Sequence, residues 1–454
     1  MCYNKSNWNR GIDALRKKIL PVLGALLCLL LSGCAMRTVE QLYCPPRRSA
    51  EFSSLQSAID QAMAGMEYAA PMSGENRQTV QRADVDGDGT DEYLVYARSS
   101  TEAPLHILLF RADTKGNFFL AENINCKGTS FEQVEYVELD GKPGTDVLVG
   151  LRIGGQSPRI ASLYSFTEGA SEQIFSTLYN RVATCDLDGN GKKELLVIRY
   201  GESELDSAVA LLYSWQNGVR ERSREAALSG RAEAIKRISM STLQDGQPAV
   251  YVTSEVEEGI LVTDIFAVKK NVFSNISLNA ALETRVETLQ NYYIYAEDID
   301  NDGIMELPRL LSMKSTNASD TEEKQSLICW YSVDMSGTVM EKCYTFHNYD
   351  GGWYLNLDSS WINRVAMERS NSSCIFYIWN ENYGEAQKAF TITALTGPDR
   401  DEKAAENNHF ALYRGESVVY AARLETVSAL YGITQDYLTN SFHLIQQDLK
   451  ITQT

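Results

Sequence analysis

Three short segments carry acidic side chains at a spacing that could hold a hard cation. They are Asp84-Val-Asp-Gly-Asp-Gly-Thr-Asp-Glu92, Asp186-Leu-Asp-Gly-Asn-Gly-Lys-Lys-Glu194 and Asp298-Ile-Asp-Asn-Asp-Gly-Ile-Met-Glu306. Acids or amides at loop positions 1, 3 and 5 converge on one point when Gly at position 6 lets the backbone turn sharply. The carbonyl at position 7 adds an oxygen, and Ca²⁺ takes roughly six to eight such hard ligands. An EF-hand would then place a bidentate Glu at position 12. Here that position is Val95, Val197 or Arg309, so the EF-hand reading fails. The carboxylate comes at position 9 instead, as Glu92, Glu194 and Glu306, and a strand follows where an EF-hand has a helix.

Two degraded copies lie between the intact loops. Glu138-Leu-Asp-Gly-Lys-Pro-Gly-Thr-Asp146 has Lys142 at position 5, which sets an ammonium where an oxygen should coordinate. In the other, around Leu243-Gln-Asp-Gly246, Leu243 and Gln247 replace ligands. Both are expected to turn without metal. Roughly 26 residues after the first four loop starts comes an aromatic strand closing in a polar turn, at Phe110, Tyr164, Tyr213 and Phe266, and Tyr331 follows the last after 33, implying an insertion around Ser315–Lys324. Tyr377-Ile-Trp-Asn380 reads as a sixth copy whose loop has lost its acids.

Each unit therefore reads as four strands: one into the loop, an apolar one out of it, the aromatic strand, and a return strand. Four-stranded units at this period suggest the blades of an all-β propeller, six to seven in number, over residues 80–423. The hairpin Phe410–Tyr420 could begin a seventh blade, and a strand near Met66–Ala70 could close the ring. Short helices flank the repeats. Residues 51–79 hold a helix with Phe52, Leu55, Ile59 and Met63 on one face, followed by a lead-in strand. Residues 424–454 read as helical, with Gly432 as a C-terminal stop and Thr434 as the cap of a helix carrying Leu438, Phe442 and Ile445.

The loop pattern D-x-D-x-[DN]-G-x-x-[DE] opening onto an apolar strand resembles the FG-GAP/VCBS repeats of integrin-alpha-type β-propellers. In that family the loop joins the first two strands of a blade and holds calcium. The resemblance implies about three structural Ca²⁺ ions. Their ligands would be Asp84, Asp86, Asp88 and Glu92; Asp186, Asp188, Asn190 and Glu194; and Asp298, Asp300, Asp302 and Glu306. Thr90, Lys192 and Ile304 would supply backbone carbonyls. The loop with Asn190 has one carboxylate fewer and is expected to empty first.

The N-terminus reads as an address. Lys5, Arg10, Arg16, Lys17 and Lys18 precede an apolar run from Ile19 to Leu31, too short to span a bilayer. It ends in Leu31-Ser-Gly-Cys34, which looks like a bacterial lipobox. That resemblance implies removal of residues 1–33, a diacylglyceryl thioether on Cys34, and a tether over residues 34–50. The product would be anchored to the outer face of a bacterial membrane.

The formal net charge of -18 repels phosphate backbones, so nucleic acid is not an expected partner. Six cysteines beyond Cys34 form no C-x-x-C pair, and the four histidines are far apart with no H-E-x-x-H. No G-x-S-x-G nucleophile elbow occurs. The reading is a calcium-binding adhesion or scaffold module for an unknown protein or glycan, non-catalytic, with no catalytic residue assigned. The alternative is an extracellular carbohydrate hydrolase or lyase acting at the propeller mouth. The recurring tyrosines read as core, and Trp353, Trp361 and Trp379 as the better ligand-binding candidates. If Cys34 carries the lipid, Cys34→Ser should release the protein from the membrane fraction or block its processing. An unmodified Cys34 on a soluble secreted product would contradict the anchor.

Overall fold

A computed structural model describes residues 50–101, 104–155, 159–167, 170–200, 208–278, 288, 290–316, 325–380 and 385–445. The leader, Cys34 and most of the tether lie outside these residues. The chain divides into two compact units, Met1–Gln61 with Ala112–Phe119, and Ala62–Arg111 with Leu120–Thr454. In the smaller unit the helix Ala50–Ala62 buries Leu55 and Ile59, while Phe52 keeps half its surface exposed. The Phe118 N–H donates to Ser54 Oγ at 2.9 Å.

The larger unit is built from antiparallel sheets that follow one another in chain order. Sheet 1 contains Val80–Ala83, Glu92–Arg98, Leu105–Ala112 and Phe118–Cys126, and Glu67–Tyr68 also pairs with its second strand. Sheet 2 contains Ser130–Val137, Asp146–Arg152, Arg159–Thr167 and Ala170–Tyr179. Sheet 3 runs through Arg181–Cys185, Glu194–Arg199, Val209–Tyr213 and Arg224–Ala227, and sheet 4 through Ile235–Thr242, Pro248–Glu257, Ile260–Lys269 and Val272–Asn275. In sheet 5 a single bridge, Glu297 to Glu306, stands for the first strand, ahead of Leu307–Ser312, Ser326–Val333, Val339–Asn348 and Trp353–Leu357. Sheet 6 contains Val365–Ser370, Ser373–Asn380, Glu385–Thr396, Val418–Leu424 and His409–Arg414.

The four-strand unit read from the loops and aromatic markers matches sheets 2, 3 and 4; sheets 1, 5 and 6 carry five strands, and in sheet 6 Tyr377 lies on the second strand, not the third. Side chains alternate between the faces of a strand, and here both faces are used. In sheet 2, Val147, Val149 and Leu151 share a core with sheet 1, whereas Leu148 shares one with Leu195 and Val197 of sheet 3. Leu196 and Ile198 of sheet 3 turn to Val250 and Phe266 of sheet 4, whose Ala249 and Tyr251 meet Leu307 and Tyr331 of sheet 5. Phe346 of sheet 5 stands edge-on to Phe376 of sheet 6, with ring centroids 5.2 Å apart. Burial on both faces explains why the second strands read as unbroken apolar runs. Each such aliphatic side chain is worth about 1.5–3 kcal/mol on full burial.

Several expectations are corrected. The Phe410–Tyr420 hairpin begins no seventh sheet; it extends the edge of sheet 6. Glu67–Tyr68 pairs with sheet 1 and with no later sheet. Trp353 and Trp361 are core residues, 1% and 2% exposed, and offer no ligand platform. Trp379 is half-buried and donates to the Ser315 carbonyl at 2.9 Å. The helix capped by Thr434 ends at Ser441, because Phe442–Leu444 pairs as a strand with Trp353–Leu357. Covering that open edge satisfies backbone groups a longer helix would leave unpaired. Gly432 does hold the left-handed conformation, with φ 70°.

Loops of neighbouring sheets touch. A Cβ on Gly144 would lie 2.4 Å from the Val85 carbonyl oxygen, and φ there is 97°. Gly144→Ala should therefore cost about 2 kcal/mol or more, from backbone strain and steric conflict together. Urea unfolding of the variant measures this.

Candidate metal centre

Each acidic loop joins the first and second strands of its sheet, or, in sheet 5, the Glu297 bridge and the second strand. Two left-handed residues make the turn: Gly87 and Gly89, Gly189 and Gly191, Asn301 and Gly303, with φ from 60° to 86°. Position 2 is apolar and buried, as Val85, Leu187 and Ile299, which pins the loop to the core. The position 1 carboxylate then collects backbone N–H groups. Asp84 accepts from Gly87 and Gly89, at 2.8 and 3.0 Å. Asp186 accepts from Asn190 and Gly191, at 3.1 and 2.8 Å, and Asp298 from Asp302 and Gly303, at 3.0 and 2.9 Å.

The side chain at position 9 closes the loop from below. Glu92 Oε2 accepts the Val85 N–H at 3.1 Å, Glu194 Oε2 the Leu187 N–H at 2.8 Å, and Glu306 Oε2 the Ile299 N–H at 3.2 Å. All three glutamates are buried. Each is pushed up to about 7, first because burial strips its solvent and then because loop aspartates repel it; the backbone N–H offsets this only in part.

Ligand-capable oxygens converge within 4.8 Å of one another in all three loops. The sets are Asp84, Asp86 and Glu92; Asp186, Asp188 and Glu194; and Asp298, Asp300 and Asp302. Asp88 and Glu306 fall outside these closest sets. At position 5, Asp88 Oδ1, Asn190 Oδ1 and Asp302 Oδ1 accept the N–H of Thr90, Lys192 and Ile304, at 2.7, 2.7 and 2.8 Å. An all-oxygen donor set of this kind suits a hard cation. Glu306 Oε1 adds a separate indication: it is buried and finds no hydrogen-bond partner among the described residues. Three acidic clusters could therefore hold metal ions.

Two basic side chains reach these loops without having been foreseen. Arg111 Nη2 lies 3.0 Å from Asp86 Oδ2, and Lys342 Nζ lies 2.7 Å from Asp302 Oδ2. Both come from strands late in their sheets, so linear spacing gave no cue, although Arg111 directly follows the aromatic marker Phe110.

The degraded loop with Lys142 keeps the clamp. Asp146 Oδ2 accepts the N–H groups of both Leu139 and Asp140 at 2.9 Å. Lys142 Nζ sits 3.4 Å from the buried Asp140 carboxylate, which also accepts from Ser165 Oγ at 2.7 Å. In the other degraded loop Leu243 is buried and Gln247 Nε2 donates to the Leu187 carbonyl at 3.3 Å.

No family model matches the sequence, and no curated protein matches it. Solved structures match distantly. An exotype rhamnogalacturonan lyase, YesX, has 11% identity and a TM-score of 0.30 over 72% of this chain and 65% of its own. The Bacillus licheniformis rhamnogalacturonan lyase PL11 has 11% identity and a TM-score of 0.27, covering 71% of this chain and 72% of that one. The Pseudomonas aeruginosa PilY1 C-terminal domain has 14% identity and a TM-score of 0.27, covering 74% and 87%. This chain thus spans just under two thirds of the length of YesX.

Lys142 stands as an internal cation on Asp140. Lys142→Ala should lower stability by about 1 kcal/mol, since a buried carboxylate loses a partly exposed partner. Chemical unfolding with and without chelator should give the same loss, because this loop needs no ion.

Proposed function

We propose that the chain is an exported, lipid-anchored β-propeller whose three acidic loops bind Ca²⁺ and which serves as a non-catalytic binding module for a protein or glycan. The observation that carries this reading is the position 9 glutamate. One of its oxygens clamps the loop backbone; the other lies 3.9 Å from Arg111 Nε in Glu92, and in Glu306 it is buried without a hydrogen-bond partner among the described residues. A divalent cation would neutralise a buried acid cluster that is otherwise costly to ionise.

Ring closure is supported by the far face of sheet 1. Val95, Ala97, Leu108 and Phe110 point away from sheet 2 and are fully buried, as packing against sheet 6 would make them. Cys34 would carry the lipid and residues 34–50 the tether.

Charge counting keeps the order read from the sequence. The first loop has four ligand carboxylates offset by Arg111, the third has four offset by Lys342, and the second has three, with Arg224 acting on its Glu194. The Asn190 loop thereby keeps the smallest negative excess and should empty first, the sites having Kd on the order of 10⁻⁴–10⁻³ M as in extracellular modules.

Metal analysis at millimolar calcium should find three ions per chain, and chelation should lower the melting temperature, because ligand bound only to the folded state stabilises it. Asp188→Ala should remove one ion and leave the fold intact. Absence of bound calcium at millimolar concentration would reduce the loops to turns and overturn the metal reading.

A further inference from the structure

Antiparallel topology places the end of each second strand far from the acidic loops, and at that end of sheets 2 and 3 the charge reverses. A β-bulge between Phe131 and Gln133 takes Glu132 out of the strand ladder, a device that re-aims a side chain. The buried Glu132 carboxylate accepts from Arg152 through Nε and through Nη2, the latter at 3.2 Å, and lies 3.3 Å from Arg159 Nη2. Arg181, the first residue of sheet 3, donates to the carbonyls of Asn180 and Ile235 at 3.0 and 3.2 Å. Burial, and then the neighbouring Arg159, hold Arg181 below the usual guanidinium range. Three guanidiniums thus face one carboxylate in a chain of net charge -18.

Tyr179 completes the group. It is 1% exposed, and its hydroxyl has no hydrogen-bond partner among the described residues. Its ring fits only because residue 150 is glycine: a Cβ there would lie 2.3 Å from the hydroxyl oxygen. The groups acting electrostatically on Tyr179 are Arg159, Glu132, Arg152 and Arg181. A buried hydroxyl left unpaired beside excess positive charge calls for an acceptor with negative charge.

We propose that Arg152, Arg159, Arg181 and Tyr179 form a binding site for an oxyanion, the carboxylate, sulfate or phosphate group of a small solute or sugar acid. Each guanidinium offers five N–H groups in a planar fork. Arg181 spends two on the carbonyls just named, Arg159 spends two on Glu132 and on the Asn180 carbonyl at 3.5 Å, and both have others to offer. Arg152 and Arg159 reach solvent, with side chains 31% and 23% exposed, which gives the anion access. Glu132 is a positioning residue that holds these two forks in place. The site is independent of any metal in the acidic loops.

The test is calorimetric titration of the full chain with glucuronate, sulfate and inorganic phosphate at fixed ionic strength, chloride being the control. At least one should bind saturably at one site per chain, with or without chelator, and the preferred one identifies the source of the oxyanion. Arg159→Gln and Arg181→Gln should each weaken binding about tenfold, as loss of a charged hydrogen bond does. Should either arginine variant fail to fold, Tyr179→Phe decides: it should weaken binding several-fold with thermal stability unchanged, since the hydroxyl has no partner to lose. Saturable binding by none of the three anions, or Tyr179→Phe binding as well as the parent, would overturn the assignment.

Discussion

Much of this protein depends on one buried carboxylate repeated from sheet to sheet. At position 9 of the three intact loops and of the Lys142 loop it sits at or just before the start of the second strand and accepts the N–H of position 2. That bond ties the two ends of a loop whose backbone must otherwise be held by glycine turns. It also brings an acid into the core, where ionisation is penalised. The apolar residue at position 2 compensates locally by anchoring the same peptide in the hydrophobic layer. A loop built this way is rigid at its base and acidic at its rim.

The sheets make that arrangement repeatable. A four-stranded sheet with one covered face would alternate apolar and polar residues. Here the second and third strands are apolar at nearly every position because each of sheets 2 to 5 lies between two others. The consequence is that no internal sheet is stable alone. Leu148 and Val149, adjacent in sequence, belong to different cores, so loss of one sheet would expose a face on each neighbour. Loop-to-loop contacts such as Gly144 against Val85 fix the spacing of the rims as the cores fix the spacing of the sheets.

The repeat was legible because its markers are local. Acids at fixed positions within nine residues, and an aromatic strand at a steady distance, need no tertiary knowledge, and the six sheets follow from them. What was misread depends on packing. Trp353 and Trp361 look the same in sequence whether they face a ligand or a core, and the structure puts them in the core. Leu438, Phe442 and Ile445 keep helical spacing, yet an open sheet edge beside Trp353–Leu357 claims Phe442 as a strand. Arg111 and Lys342 could not be assigned because strand pairing alone carries them to their loops. The arginine cluster was invisible for the same reason, since Glu132, Arg152, Arg159 and Arg181 are assembled from the ends of four strands.

The degraded loops show what the acidic rim requires. The carboxylate of Asp140 survives where its companion ligand has become Lys142, and the ammonium lies where it can balance that charge. In the loop around Leu243 the first ligand has become a buried apolar residue, and a tight backbone turn remains, closed by Leu243 N–H to Gln247 O at 2.8 Å. Both keep the glycine turn, and neither keeps an uncompensated acid cluster. The intact loops retain that excess even after Arg111 and Lys342 are counted. A cluster of like charges is self-repelling, and this chain shows two local ways to relieve it, an internal ammonium and an apolar replacement. The three intact loops use neither fully, and their oxygens converge closely enough that they could hold metal ions.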